Sequence, residues 1–83
     1  MASDYQSKVI KEYEDKGFTV LKTIRLNRAG LPDLICLKGG KTIFIEVKEP
    51  KDTLKPLQKY WIDRLRLDGF EAFAMQKGKG IIY

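Results

Sequence analysis

Asp33, Glu46 and Lys48 have the residue types and spacing for metal-assisted chemistry. Between the two acids lies Gly39-Gly40, flanked by apolar and β-branched runs, which is a two-residue hairpin signal. Such a turn sets the register of the strands it joins. Lys38 then faces Lys41, Leu37 faces Thr42, and each outward step pairs one more residue until Asp33 stands opposite Glu46. Opposed residues share a face of the sheet, with Cβ atoms roughly 5 Å apart. Strand alternation puts Lys48 on that face too, two residues beyond Glu46. Two opposed carboxylates repel each other, and a divalent cation offsets this best. Mg²⁺ binds through one or two carboxylates, waters and phosphate oxygens. The backbone carbonyl of Val47 is a further candidate oxygen ligand. The same residues also read as a surface cluster in which Lys48 simply neutralises two acids, and the register alone does not separate the two readings.

The elements that must position these residues follow from local pattern. Ser3 reads as an N-cap, with Gln6 three residues later completing a capping box. Tyr5, Val9, Ile10 and Tyr13 recur at helical spacing, and Gly17 is a C-terminal stop. Phe18 to Thr23 reads as a strand, and Ile24 to Leu31 as a connection carrying Arg25 and Arg28. Asp33 to Lys38 and Lys41 to Lys48 form the hairpin, and Glu49-Pro50-Lys51-Asp52 is a polar break. A second helix is expected from Pro56 to Asp68, with Leu57, Trp61, Ile62 and Leu65 as its apolar stripe and Gly69 as its stop. Phe70 to Met75 is a fourth strand, and Ile81 to Tyr83 a short edge strand. The order αβββαβ predicts one α/β domain over residues 1–83, with a central mixed sheet flanked by helices.

Composition bounds the chemistry. The 83 residues contain no histidine, which removes His general bases, His zinc ligands and Ser-His triads within this chain. The one cysteine, Cys36, sits in an apolar run and reads as a buried thiol in a reducing compartment. A net charge of +5 suits nucleic acid, an acidic partner or a membrane surface. No run has the apolar length of a membrane span and no signal pattern opens the chain, so a soluble cytoplasmic protein is expected. A domain this small has a thin core, which favours burial of surface between two copies.

Gly30-Leu31-Pro32-Asp33, Ile45-Glu46-Val47-Lys48 and Gln58 together resemble the VRR-NUC branch of the PD-(D/E)xK nucleases. The order of elements resembles that superfamily's core over nearly the whole chain. The resemblance implies a restriction-endonuclease-like fold and hydrolysis of DNA phosphodiester bonds with Mg²⁺ or Mn²⁺. It makes Asp33 and Glu46 metal ligands. Lys48 becomes the group that orients the attacking water and stabilises developing charge. Gln58 becomes a helix residue contacting a ligand water or a phosphate, although its position also reads as solvent-facing. Related nucleases often carry a glutamate on the first helix, roughly where Gln6 stands, so Gln6 is either a weak contributor or only a cap. Glu12 is another acid on that helix.

Small stand-alone relatives look like dimeric junction-cleaving enzymes, which implies branched DNA such as four-way junctions and a homodimer. A nicking or flap nuclease, or a non-catalytic DNA-binding module on the same fold, are the alternatives. Arg25 and Arg28 precede Asp33, while Lys51, Lys55 and Lys59 follow the Glu46 strand, and both groups are expected to flank the acidic face and bind phosphates. Tyr60 is expected to stack on a base or meet a second subunit, with Phe73 and Ile82 as further interface candidates. Trp61 is expected in the core, turned away from its neighbour Tyr60.

Overall fold

A computed structural model describes residues 4–83. Helix α1 spans Asp4–Asp15 and helix α2 spans Pro56–Leu67. The strands are β1 (Thr19–Lys22), β2 (Leu34–Lys38), β3 (Lys41–Lys48), β4 (Glu71–Gln76) and β5 (Gly80–Ile81). They form one mixed sheet in the order β1-β2-β3-β4-β5. Pairing is antiparallel except between β3 and β4, where α2 makes the crossover and the strands run parallel. Ser3, the expected N-cap, lies outside the described residues.

Both helices end on the same device. Gly17 and Gly69 take φ of +93° and +92°. The N–H of Phe18 donates to the Tyr13 carbonyl and that of Gly17 to the Glu14 carbonyl, while Phe70 and Gly69 donate likewise to Leu65 and Arg66. This is the Schellman pattern, and the rings of Tyr13 and Phe18 close it with an edge-to-face contact at 5.6 Å. At the hairpin, Gly39 and Gly40 both have positive φ, +52° and +81°, as a type I′ turn needs.

Alternation along the strands builds two apolar layers. Leu34, Cys36, Ile43, Ile45 and Phe73 face Val9 of α1, with Tyr5, Ile10 and Tyr13 packed around them. Ala72 and Ala74 face Ile62 of α2, with Phe44, Leu54 and Leu65 beside them. Phe73 is therefore core, which removes it as an interface residue. Ile82 is partly buried against the α2 layer. Trp61 also departs from expectation. It is only half-buried, the core position on α2 belongs to Ile62, and its ring meets Tyr60 edge to face at 5.3 Å. Adjacent helical side chains leave the axis in different directions, but two large rings are long enough to touch at their edges.

Candidate active site

The hairpin register is the one the turn dictates, from Lys38 opposite Lys41 to Leu34 opposite Ile45. Asp33 stands one residue before β2 and continues that register toward Glu46. Its position is held by Thr23, the residue after β1. Thr23 donates its N–H to the Asp33 carbonyl at 2.9 Å and its hydroxyl to the Pro32 carbonyl at 2.6 Å. The Asp33 carboxylate then accepts the Val47 N–H at 2.9 Å. In an extended strand the N–H and C=O of one residue point to the same side. The Val47 carbonyl is therefore directed to the Asp33 side as well. Lys48, one residue on, turns its carbonyl the other way and accepts the Lys77 N–H.

Glu46 and Lys48 lie on the α2 face, and both are nearly covered, at 3% and 7% exposure. Ala74 lies beside Glu46 across the parallel pairing, small enough to leave the carboxylate its space. One oxygen of Glu46, Oε2, takes both available donors: Lys48 Nζ at 3.3 Å and Gln58 Nε2 at 3.2 Å. The other, Oε1, is buried without a hydrogen bond, the one such side-chain atom among the described residues. A buried acceptor without a donor is costly. Burial pushes the Glu46 carboxyl up to about 7, the Asp33 carboxylate adds to the rise, and Lys48 opposes it. The bare oxygen and the adjacent carboxylate fit a divalent cation with oxygen ligands. Among the described residues no three His, Cys, Asp or Glu side chains cluster as a metal site, so any cation here draws on two carboxylates, backbone and water.

Gln58 is fixed at both ends of its amide. Its Oε1 accepts the Lys55 N–H at 2.9 Å, the reach-back half of a capping box, and its Nε2 is left to donate to Glu46. It thus contacts the Glu46 carboxylate itself and does not point to solvent. Gln6 is half-buried near the N-terminal end of α1. On that same turn the Tyr5 phenol is raised, first by burial and then by the Glu12 and Glu49 carboxylates.

The basic residues divide. Arg25 is exposed in the loop that leads to Asp33, while the Arg28 guanidinium lies 6.0 Å over the Trp61 ring. Lys51 and Lys55 are exposed between β3 and α2. Lys59 instead lies 5.8 Å over the Tyr83 ring, on the side of α2 where the C-terminus packs.

Two residues escaped the sequence reading. Thr23 seats Asp33, as above. Gln76, 5% exposed and paired with Lys48, sends its amide nitrogen to the carbonyls of Glu49, Pro50 and Asp52 at 2.9, 3.2 and 2.8 Å. It ties down the turn that follows Lys48. The only sequence signal was a polar residue at the period-two position shared with Ala72 and Ala74. Cys36 is a buried thiol, pushed up to about 11 by burial and so unreactive. No helix among the described residues is long and apolar enough to cross a membrane.

Comparisons with known proteins bear on the family and the fold. The family model of the VRR-NUC domain matches residues 2–77. A solved structure described as a VRR-NUC domain superposes with a TM-score of 0.73 at 31% identity, covering 83% of this chain and 76% of that one. Among curated proteins, the crossover junction endodeoxyribonuclease Hjc of Sulfurisphaera tokodaii is 32% identical over 92% of this chain. The chain spans about half the length of that relative, 52%. The Hjc of Archaeoglobus fulgidus, described as a Holliday junction resolvase, shares the fold. Its TM-score is 0.63 at 22% identity, covering 84% of this chain and 64% of that one.

Proposed function

The chain belongs to the VRR-NUC domain family, and we propose that it is an endonuclease that hydrolyses DNA phosphodiester bonds with Mg²⁺ or Mn²⁺. The observation that carries this reading is the buried Glu46 Oε1, bare of donors and flanked by Asp33 and Lys48. Asp33, Glu46 and the Val47 carbonyl would hold the cation. When bound, it supplies a Lewis acid that polarises the phosphate and lowers the pKa of a coordinated water. Lys48 reaches the same face, orients the water and stabilises negative charge at the phosphate as the P–O bond to the leaving strand breaks. Gln58 holds the Glu46 carboxylate from α2. Arg25, Arg28, Lys51, Lys55 and, more remotely, Lys59 engage phosphates of the backbone.

The relative named a crossover junction endodeoxyribonuclease supports a branched substrate such as the four-way junction. Two strands of a junction must be cut, and a two-fold homodimer offers one site for each. The same reading places the protein with its DNA in the cytoplasm. The test is a panel of continuous duplex, flap and four-way junction DNA incubated with Mg²⁺, Mn²⁺ or EDTA, alongside sedimentation equilibrium of the protein. Metal-dependent paired cuts in the junction by a species of twice the chain mass are expected. Cleavage that survives EDTA, or that persists in Asp33→Ala, would refute the site. Junction resolution by a species of monomer mass would refute the dimer.

A further inference from the structure

Where the connection between β1 and β2 packs against α2, the two form an open cleft of about 350 Å³. It is lined by Asn27, Arg28, Ala29, Leu57, Tyr60 and Trp61. Of its lining, only Arg28 enters the proposed function, as a phosphate contact at the rim; the other five residues have no part in it. Its aromatic wall is open: Tyr60 is 54% exposed and Leu57 47%. The Tyr60 ring stands edge-on to Trp61 at 81°, and the Arg28 guanidinium lies over the Trp61 ring. The walls are held close. A Cβ on Gly30 would stand 2.6 Å from Leu57 Cγ, so the connection is seated directly on the helix. The same two elements carry the proposed site. The connection runs straight into Asp33. Gln58, bonded to Glu46, is three residues before Trp61 and hence on the same side of α2.

We infer that this cleft receives a nucleobase freed at the branch point of the DNA, and that it makes cleavage prefer branched over continuous duplex. The inference rests on the DNA-cleaving reading above. Aromatic rings and arginine planes stack bases of any sequence, and the Asn27 and Arg28 side chains supply hydrogen-bonding groups for a base edge. A base within continuous duplex must first leave its stack and its pair. A base at a branch has already lost part of that hold, so it enters at the least cost. The chemistry therefore selects for structure without reading sequence.

Trp61 is the one tryptophan of the chain, so intrinsic fluorescence reports on the cleft directly. The protein is titrated in EDTA, where cleavage is silent, with continuous duplex and with a branched duplex carrying one unpaired thymine at the branch. The branched DNA should bind about tenfold more tightly and quench Trp61, as stacking on one aromatic residue implies. Tyr60→Leu should abolish the preference, Tyr60→Phe should keep it, and neither should change affinity for continuous duplex. Binding of the branched DNA without quenching, or a Tyr60→Leu protein that keeps the full preference, overturns this inference alone. So does conversion of a dimer to monomer by Tyr60→Leu, which would assign the surface to a second copy of the chain. Failure to bind any DNA overturns it together with the reading on which it rests.

Discussion

At the scale of single residues, burial and then the Asp33 carboxylate hold the Glu46 carboxyl at about 7, well above its usual value of 4.5, with Lys48 only partly opposing them. The folded metal-free protein therefore keeps a proton on Glu46 that the unfolded chain has already released between those two values. Stability contributed by this group is present at acid pH and is lost as pH rises from about 4.5 to about 7. The loss is on the order of 3 kcal/mol. Glu46→Gln keeps the shape and removes the charge, so thermal unfolding in EDTA at pH 8 should show the variant at least as stable as the parent. Its unfolding temperature should also lack the parent's decline between pH 5 and pH 8. A variant that unfolds earlier and keeps that decline would show that another group titrates. The juxtaposition of Asp33, Glu46 and Lys48 was legible because one glycine pair set the whole register. Thr23 and Gln76 were not, because their partners are backbone carbonyls 9 and 24 to 27 residues away. Contacts at that separation leave no periodic trace.

At the scale of elements, Asp33 depends on how its connection seats against α2. Gly30 has φ of +85° and no room for a Cβ beside Leu57. Gly30→Ala should destabilise by about 1–3 kcal/mol through backbone strain and collision together. Adding Leu57→Ala removes the two closest contacts, with Cγ and Cδ2, and leaves the strain. Urea unfolding of the two single variants and the double should therefore show non-additivity, with the double less destabilised than the sum. Additive losses would mean that the close approach stores no energy. The helix stops at Gly17 and Gly69 were legible because each glycine also closes a Schellman turn that the sequence pattern announces. The role of Trp61 was not. Periodicity places it on an apolar stripe, but the stripe is wide, and the sheet takes Ile62 while the connection takes Trp61.

At the scale of the molecule, a net charge of +5 is carried largely by exposed side chains, and Lys51 and Lys55 lie on the segment that leaves the Glu46 strand. Replacing both with alanine should weaken DNA binding and lower the slope of log affinity against log salt by roughly one to two. An unchanged slope would remove these lysines from the phosphate contacts. The layered α/β plan with α2 between parallel strands was legible because a helix-length amphipathic segment separates two apolar strands. The cleft of Asn27 to Trp61 was not, since it arises where an irregular connection meets a helix. A divalent cation held by Asp33 and Glu46 is central to the proposed chemistry, and Mn²⁺ titration calorimetry of the DNA-free protein tests it most directly. Binding should strengthen as pH rises through about 7, where Glu46 gives up its proton, and should be lost in both Asp33→Asn and Glu46→Gln. Mn²⁺ binding of equal strength in wild type and Glu46→Gln, at every pH, would contradict it.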